Sequence, residues 1–375
     1  MLFARAGLTA AQISSLFVIW SATSIVLEVP SGVLADGVSR RVVLCAGPLL
    51  GALGFGLWVA APSYWAFAGG FVLWGAKGAL VSGALEALVY EELDAAGKAT
   101  GFALILGRAH ALGVVAVVLA TLLAVPVFGS GGYAAVGIAS VAAGVAGGGV
   151  ALLFPEHRGE GTDADSDEPG PRPTLRAGLT EVAARPSVRR ALILVPAVTA
   201  VWGALEEYTP LLAGAVGVPD GQLPWWQAVI WCGITVGGVA AGRVAGLSAP
   251  GLALLLLAAA AMLALGSGVG RPAGLVLVAI AFGALQVAGV TAQAGLQAVV
   301  VGRARATVTS VASLGEDLVE IAAYLGYGAI AGVDGDRAAF ILLSVPYVVV
   351  AAWVLTGPHP GRAVPASRVD ETMTP

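Results

Sequence analysis

The charges of this chain are few and clumped, and between the clumps lie apolar runs long enough to fill a bilayer. Charged residues make up 11% of 375, against about 25% in an ordinary soluble domain. Thirteen of them lie in residues 155–190 and four follow Gly361, so the other 325 residues share 25. A hydrocarbon core of about 30 Å requires about 20 apolar residues per helical crossing. Runs such as Val114–Ala124 and Leu252–Leu265 are apolar on every face, unlike the alternating strands of a β-barrel. The charged shell of a soluble enzyme, a nucleic-acid binder or a disordered regulator cannot be built from this composition. An all-α polytopic membrane protein is left.

Smaller counts agree. A net charge of −4 gives no basic field, so no nucleic-acid partner is expected. Cys45 and Cys232 sit in apolar surroundings, and His110, His157 and His359 lack ligand spacing, so neither a metal site nor a cofactor is expected. There is no phosphate-binding loop and no nucleophile–base spacing. The chain reads as no enzyme, and ATP-driven transport by it alone is excluded.

Hydropathy predicts about eleven helices, at 11–31, 42–61, 64–88, 101–124, 131–154, 191–214, 224–246, 251–269, 272–299, 306–332 and 338–356. With the 32–41 turn on the cytoplasmic side, fourteen Lys and Arg fall in cytoplasmic segments and only Arg5, Arg271 and Arg337 outside. That is a strong positive-inside bias. Trp58, Tyr64, Trp65, Tyr133, Trp225 and Trp226 then form an outer aromatic belt. Residues 1–154 read as a first helical bundle and 191–357 as a second of six helices. The acidic, Pro/Gly-rich stretch 155–190 reads as a cytoplasmic linker, and 358–375 as a cytoplasmic tail. Gly83–Leu88 echoes Ala294–Val299, and Leu106–Arg108 echoes Leu314–Glu316. Two related bundles of this kind suit a secondary transporter. Their register implies that the first lacks one helix before residue 11.

The turn Gly32, Val33, Leu34, Ala35, Asp36, Gly37, Val38, Ser39, Arg40, Arg41 resembles the loop motif of the major facilitator superfamily. Gly32, Leu34, Ala35, Asp36, Arg40 and Arg41 match it; Gly37 and Ser39 depart. Glu28, Val29, Pro30 and Ser31 before it also resemble members of this superfamily, and the chain as a whole resembles its efflux-type members. The resemblance implies two bundles around a midplane cavity, alternating access, and a cytoplasmic gate at Gly32, Asp36, Arg40 and Arg41. It implies that Asp36 docks on the helix starting near Arg305; the alternative is that these charges only solvate a tight turn. Family members have twelve helices, so 5 + 6 leaves one missing. Either the start is set late, or the chain is truncated with an external N-terminus. The Gly-Pro antiporter motif of the fifth family helix is absent, where this chain reads Gly107–Gly113.

Ionisable groups inside a span are functional candidates, because burying them is costly. Glu206 and Glu207 lie on the 191–214 helix, about 100° apart, with Trp202, Glu206 and Pro210 on one face. Glu316, Asp317 and Glu320 cluster on the 306–332 helix, with Arg108 as a possible partner. These five acids are the proton-coupling candidates, Glu206 first. Lys77, Arg108, Trp202, Gln286 and Gln293 are the substrate-cavity candidates. Each could instead be structural, as paired charges or helix-bridging amides. Glu28 and Glu86 read as salt-bridge partners of Arg40 and Arg41. The expected function is proton-coupled export of a small organic molecule across the cytoplasmic membrane, by a monomer in contact with substrate, protons and lipid. A proton-coupled uptake symporter and a non-transporting paralogue or sensor are the alternatives.

Overall fold

The computed structural model describes residues 1–37, 39–81, 84–98, 101–156, 185–243, 247–300 and 304–356. Among the described residues all regular structure is helical. Nine helical stretches there are long and apolar enough to cross a membrane, and the protein is a multi-pass membrane protein. Its first half holds α1 (Leu2–Arg5), α2 (Ala10–Gly37), α3 (Arg40–Ala60), α4 (Tyr64–Val81), α5 (Ala84–Ala95) and α6 (Phe102–Ala151). The second holds α7 (Pro186–Glu207), α8 (Thr209–Ala215), α9 (Leu223–Ala241), α10 (Ala249–Gly268), α11 (Gly274–Val299), α12 (Ala304–Leu342) and α13 (Val345–Leu355).

The spans expected at 42–61, 251–269 and 272–299 coincide with α3, α10 and α11. Elsewhere the helices are longer or broken, for local reasons. A straight helix of the length of α6 would measure about 75 Å, more than twice the hydrocarbon thickness. Instead the chain turns at Gly131 and Gly132, where Gly132 adopts a φ of 61° that a side chain resists. α6 therefore holds both spans expected between 101 and 154. α12 is broken likewise at Gly335, with φ 83°, and Tyr327 Oη donates to Asp336 Oδ1 across the break at 2.6 Å.

α2 continues to Gly37, through residues that the sequence reading places in a turn. Leu34 and Ala35 favour helix, and the break falls at Ser39, whose hydroxyl accepts Val42 N–H at 3.3 Å and caps α3. The span expected at 191–214 divides at Tyr208 into α7 and α8. Pro210 has no N–H to continue the first helix and sits in the opening turn of the second. The span expected at 64–88 is covered by α4 and α5, and α5 extends to Ala95.

Within the first half, α3 packs on α4 and α6, and α2 packs on α4. Within the second, α9 and α10 flank α11, and α7 packs on α11 and α12. A Cβ at Gly237 would collide with the Gly283 carbonyl, so α9 and α11 meet backbone to backbone. The halves join along α2–α12 and α6–α9. Most of the expected linker 155–190 and nearly all of the segment after Leu355 lie outside the described residues.

Candidate functional site

Three helices of the first half each present two aromatic side chains at i and i+3, a spacing that puts both on one face. They are Phe17 and Trp20 on α2, Phe55 and Trp58 on α3, and Phe71 and Trp74 on α4. Together with Phe3 they line a cavity of about 220 Å³, closed on the other side by Glu207 and Leu211 of the second half. The rings brace one another. Trp58 and Phe71 lie 4.9 Å apart, Phe17 and Phe71 5.4 Å, Phe55 and Trp74 5.5 Å edge to face. Trp58 Nε1 donates to the Phe67 carbonyl at 3.1 Å, which fixes that ring. Among the described residues Glu207 is the only acidic side chain on the wall. It is exposed although helices surround it, because it opens onto the cavity.

Glu206, its neighbour, is half-buried and does not line the cavity. The packing of α7 on α12 brings the acids of both helices together. A side chain at Gly203 would come within 3.2 Å of Glu320 Oε1, and Glu320 feels the charges of Asp317, Glu316 and Glu207. Glu316 lies beside the Thr199 hydroxyl of α7. Asp317 feels Glu28 of α2. Two groups of acids that are separate in sequence thus form one ladder over α7, α12 and α2.

The other candidates are placed apart from this ladder. The Lys77 ammonium rests 4.7 Å from the centre of the Trp74 ring, and its stem lies against α3 at Gly51. It backs the aromatic wall without lining the cavity. Trp202 is buried against Phe282 of α11, ring centres 5.8 Å apart. Its Nε1 has no hydrogen-bond partner among the described residues. Arg108 is exposed on α6, with no ion pair to the α12 acids among the described residues. Gln286 is half-buried beside Gly238 of α9, and Gln293 is exposed.

Gly32 and Asp36 lie in the last turns of α2, and the Asp36 side chain is outside the described residues. Arg40 pairs with Glu91 on α5. Its backbone N–H donates to Glu156 Oε1 at 2.8 Å, and the Ser39 hydroxyl donates to Glu156 Oε2. Arg41 is half-buried. Glu86 is exposed, and Glu91 takes the role expected of it. Glu91 and Glu156 were not singled out from sequence. The signal for Glu156 was its place just beyond an apolar helix, facing the start of another.

At the opposite end the halves are clasped. The Ser14 and Tyr208 hydroxyls hydrogen-bond at 2.8 Å, and Tyr208 stacks on Tyr327 at 3.5 Å. Arg5 meets Asp220 at 2.7 Å, and Tyr133 Oη donates to the same carboxylate at 3.4 Å. Asp220 holds the Arg5 guanidinium above its ordinary pKa, through hydrogen bonding and charge. Arg5 is largely exposed, so solvent screens this pair. The buried Ser14–Tyr208 seam carries more of the closure.

The Major Facilitator Superfamily profile matches residues 2–324. Among curated sequences no relative matches significantly. A bacterial homologue of the human lysosomal transporter Spinster, solved inward-facing and occupied, is similar in fold with a TM-score of 0.69 at 15% identity, covering 93% of this chain and 89% of that one. The nucleoside transporter NupG gives 0.69 at 14% identity, covering 94% and 92%. FucP in the outward conformation gives 0.58 at 14% identity, covering 94% and 92%. A profile match over most of the sequence and a shared two-half helical fold lead to one conclusion: the chain belongs to the major facilitator superfamily.

Proposed function

We propose that this protein is a proton-coupled secondary transporter that exports a small organic molecule across the cytoplasmic membrane by alternating access, acting as a monomer. The observation that carries this reading is the acid ladder. Glu207 opens onto a cavity, Glu320 lies within range of it, and Asp317 and Glu28 continue the series along the seam between the halves. Carboxylates at membrane depth are costly to ionise together, and a series of them can hold and pass a proton as their surroundings change. In this reading Glu207 and Glu320 exchange the proton, and Gly32, Asp36, Arg40 and Arg41 belong to the cytoplasmic gate. Lys77 supports the cavity wall, and the linker and C-terminus face the cytoplasm.

An uptake symporter is the second reading. It is favoured by a structural neighbour, the Escherichia coli fucose:proton symporter FucP, with a TM-score of 0.51. Proteoliposomes carrying an internal pH-sensitive dye distinguish the readings. Under an imposed pH gradient, a panel of neutral, cationic and anionic solutes is added to either face. Substrate-driven proton movement opposite to the solute supports export by antiport; movement in the same direction supports symport. Solute flux with no proton movement for any substrate overturns coupling. Glu320→Gln is expected to abolish the proton signal while solute exchange persists.

A further inference from the structure

The two walls of the cavity come from different halves and differ in chemistry. One is a continuous aromatic surface of α2, α3 and α4, including Phe17, Trp20, Trp58, Phe71 and Trp74; the other ends in the carboxylate of Glu207. Ring faces attract a cation through their quadrupole, and aromatic enclosures suit quaternary nitrogen in particular. A carboxylate that opens into the same space adds a full opposite charge. An anionic ligand would meet Glu207 directly, with Glu206 and Glu320 nearby. Of the cations nearby, Lys77 lies over Trp74 against α3 and does not fill the space, and the amino group of Met1, which lines the cavity, has Asp220 as its opposite charge. At about 220 Å³ the cavity is below the usual range for drug-sized ligands, about 300–1,000 Å³, so it suits one or two fused rings.

We propose that the cavity binds a small organic monocation carrying a flat ring, which stacks on the aromatic wall and places its positive nitrogen toward Glu207. This deepens the transporter reading and rests on it only for the fate of the bound molecule.

The test is calorimetric titration of purified protein in nanodiscs with three probes of similar shape at pH 8. They are N-methylquinolinium (cation), 2-methylquinoline (neutral) and quinoline-2-carboxylate (anion). The expected order is cation, then neutral, then anion, with the cation about tenfold tighter than the neutral ring. Glu207→Gln is expected to remove that tenfold preference and leave neutral binding unchanged. Phe71→Leu is expected to weaken cation and neutral ring alike. Anion binding as tight as cation binding, or a cation preference that survives Glu207→Gln in a monodisperse, wild-type-melting sample, overturns the proposal. The wild-type probe order alone decides if the variant fails to fold. N-methylquinolinium that binds in this order but is not moved by proteoliposomes leaves the site standing and counts against the transporter reading. Transport with the reverse probe order does the opposite.

Discussion

The seam that closes one end of the molecule can be wedged at a single position. Gly328 of α12 lies against α2, and a Cβ placed there would come to 2.8 Å from Ser14 Oγ, 2.9 Å from Ser14 Cβ and 3.2 Å from Ala11 Cα. Ser14 is 2% exposed and hydrogen-bonds Tyr208, so it has little room to retreat. A valine at 328 adds two further carbons to a contact that cannot hold the first. Overpacking of this kind costs about 1–3 kcal/mol, and losing the Ser14–Tyr208 bond adds about 1 kcal/mol. The cost applies only while α2 and α12 touch. A state in which the halves part at this end escapes it, so Gly328→Val should shift the balance between states by roughly ten- to a thousandfold toward opening there. Spin labels at Trp65 and Val333, both over 80% exposed and in opposite halves, report the separation by electron–electron double resonance, with Cys45 and Cys232 replaced by Ser. The expected result is a new long-distance population. The control is Gly75→Val, whose Cβ would meet Thr23 and the Trp20 carbonyl inside the first half. It should lower the melting temperature without changing the distance distribution. If Gly328→Val melts like the wild type and keeps its distances, the seam is not what holds this end shut.

Two further outcomes follow from the structure and a third from the proposed gate. Glu156→Gln removes the charge that receives both Ser39 and the first N–H of α3; it should cost about 1–2 kcal/mol, read as a lower melting temperature. Gly132→Ala places a side chain at φ 61° and should destabilise by about 1–2 kcal/mol, whereas Gly129→Ala, where a Cβ meets nothing within 4 Å, should be neutral or slightly stabilising. Asp36→Asn is expected to slow transport in proteoliposomes while expression stays normal; wild-type turnover would remove Asp36 from the gate.

Much of the fold could be read from the chain because bilayer thickness dictates helix length. The α3, α10 and α11 segments are apolar runs with polar or turn-forming ends, and their limits fall almost where hydropathy puts them. The errors lie where local chemistry outweighs hydropathy. The helix before the motif runs on through it to Gly37, and Ser39 supplies the hydroxyl that caps α3. Tyr208 separates α7 from α8 because Pro210 begins a new helix. The membrane-depth acids were legible one by one, since any charge there stands out. Their union was not, because it depends on which faces of α7 and α12 touch. The aromatic cavity was missed for a related reason. Phe17 and Trp20, Phe55 and Trp58, and Phe71 and Trp74 each look like lipid-facing or core side chains on a single helix. The repetition of the i,i+3 pair on three helices was the signal available, and only their packing turns it into a wall.

The division of that cavity between the halves has a mechanical consequence. Its rings travel with α2, α3 and α4, and its carboxylate travels with α7. Coulomb energy falls inversely with distance, so a gap that widens from about 4 to about 8 Å halves the attraction between Glu207 and a cation resting on the rings. Any relative rocking of the halves therefore alters how firmly such a ligand is held, without either wall changing shape. Grip and release would then follow from the motion itself, and a ligand that lacks the charge would feel it far less.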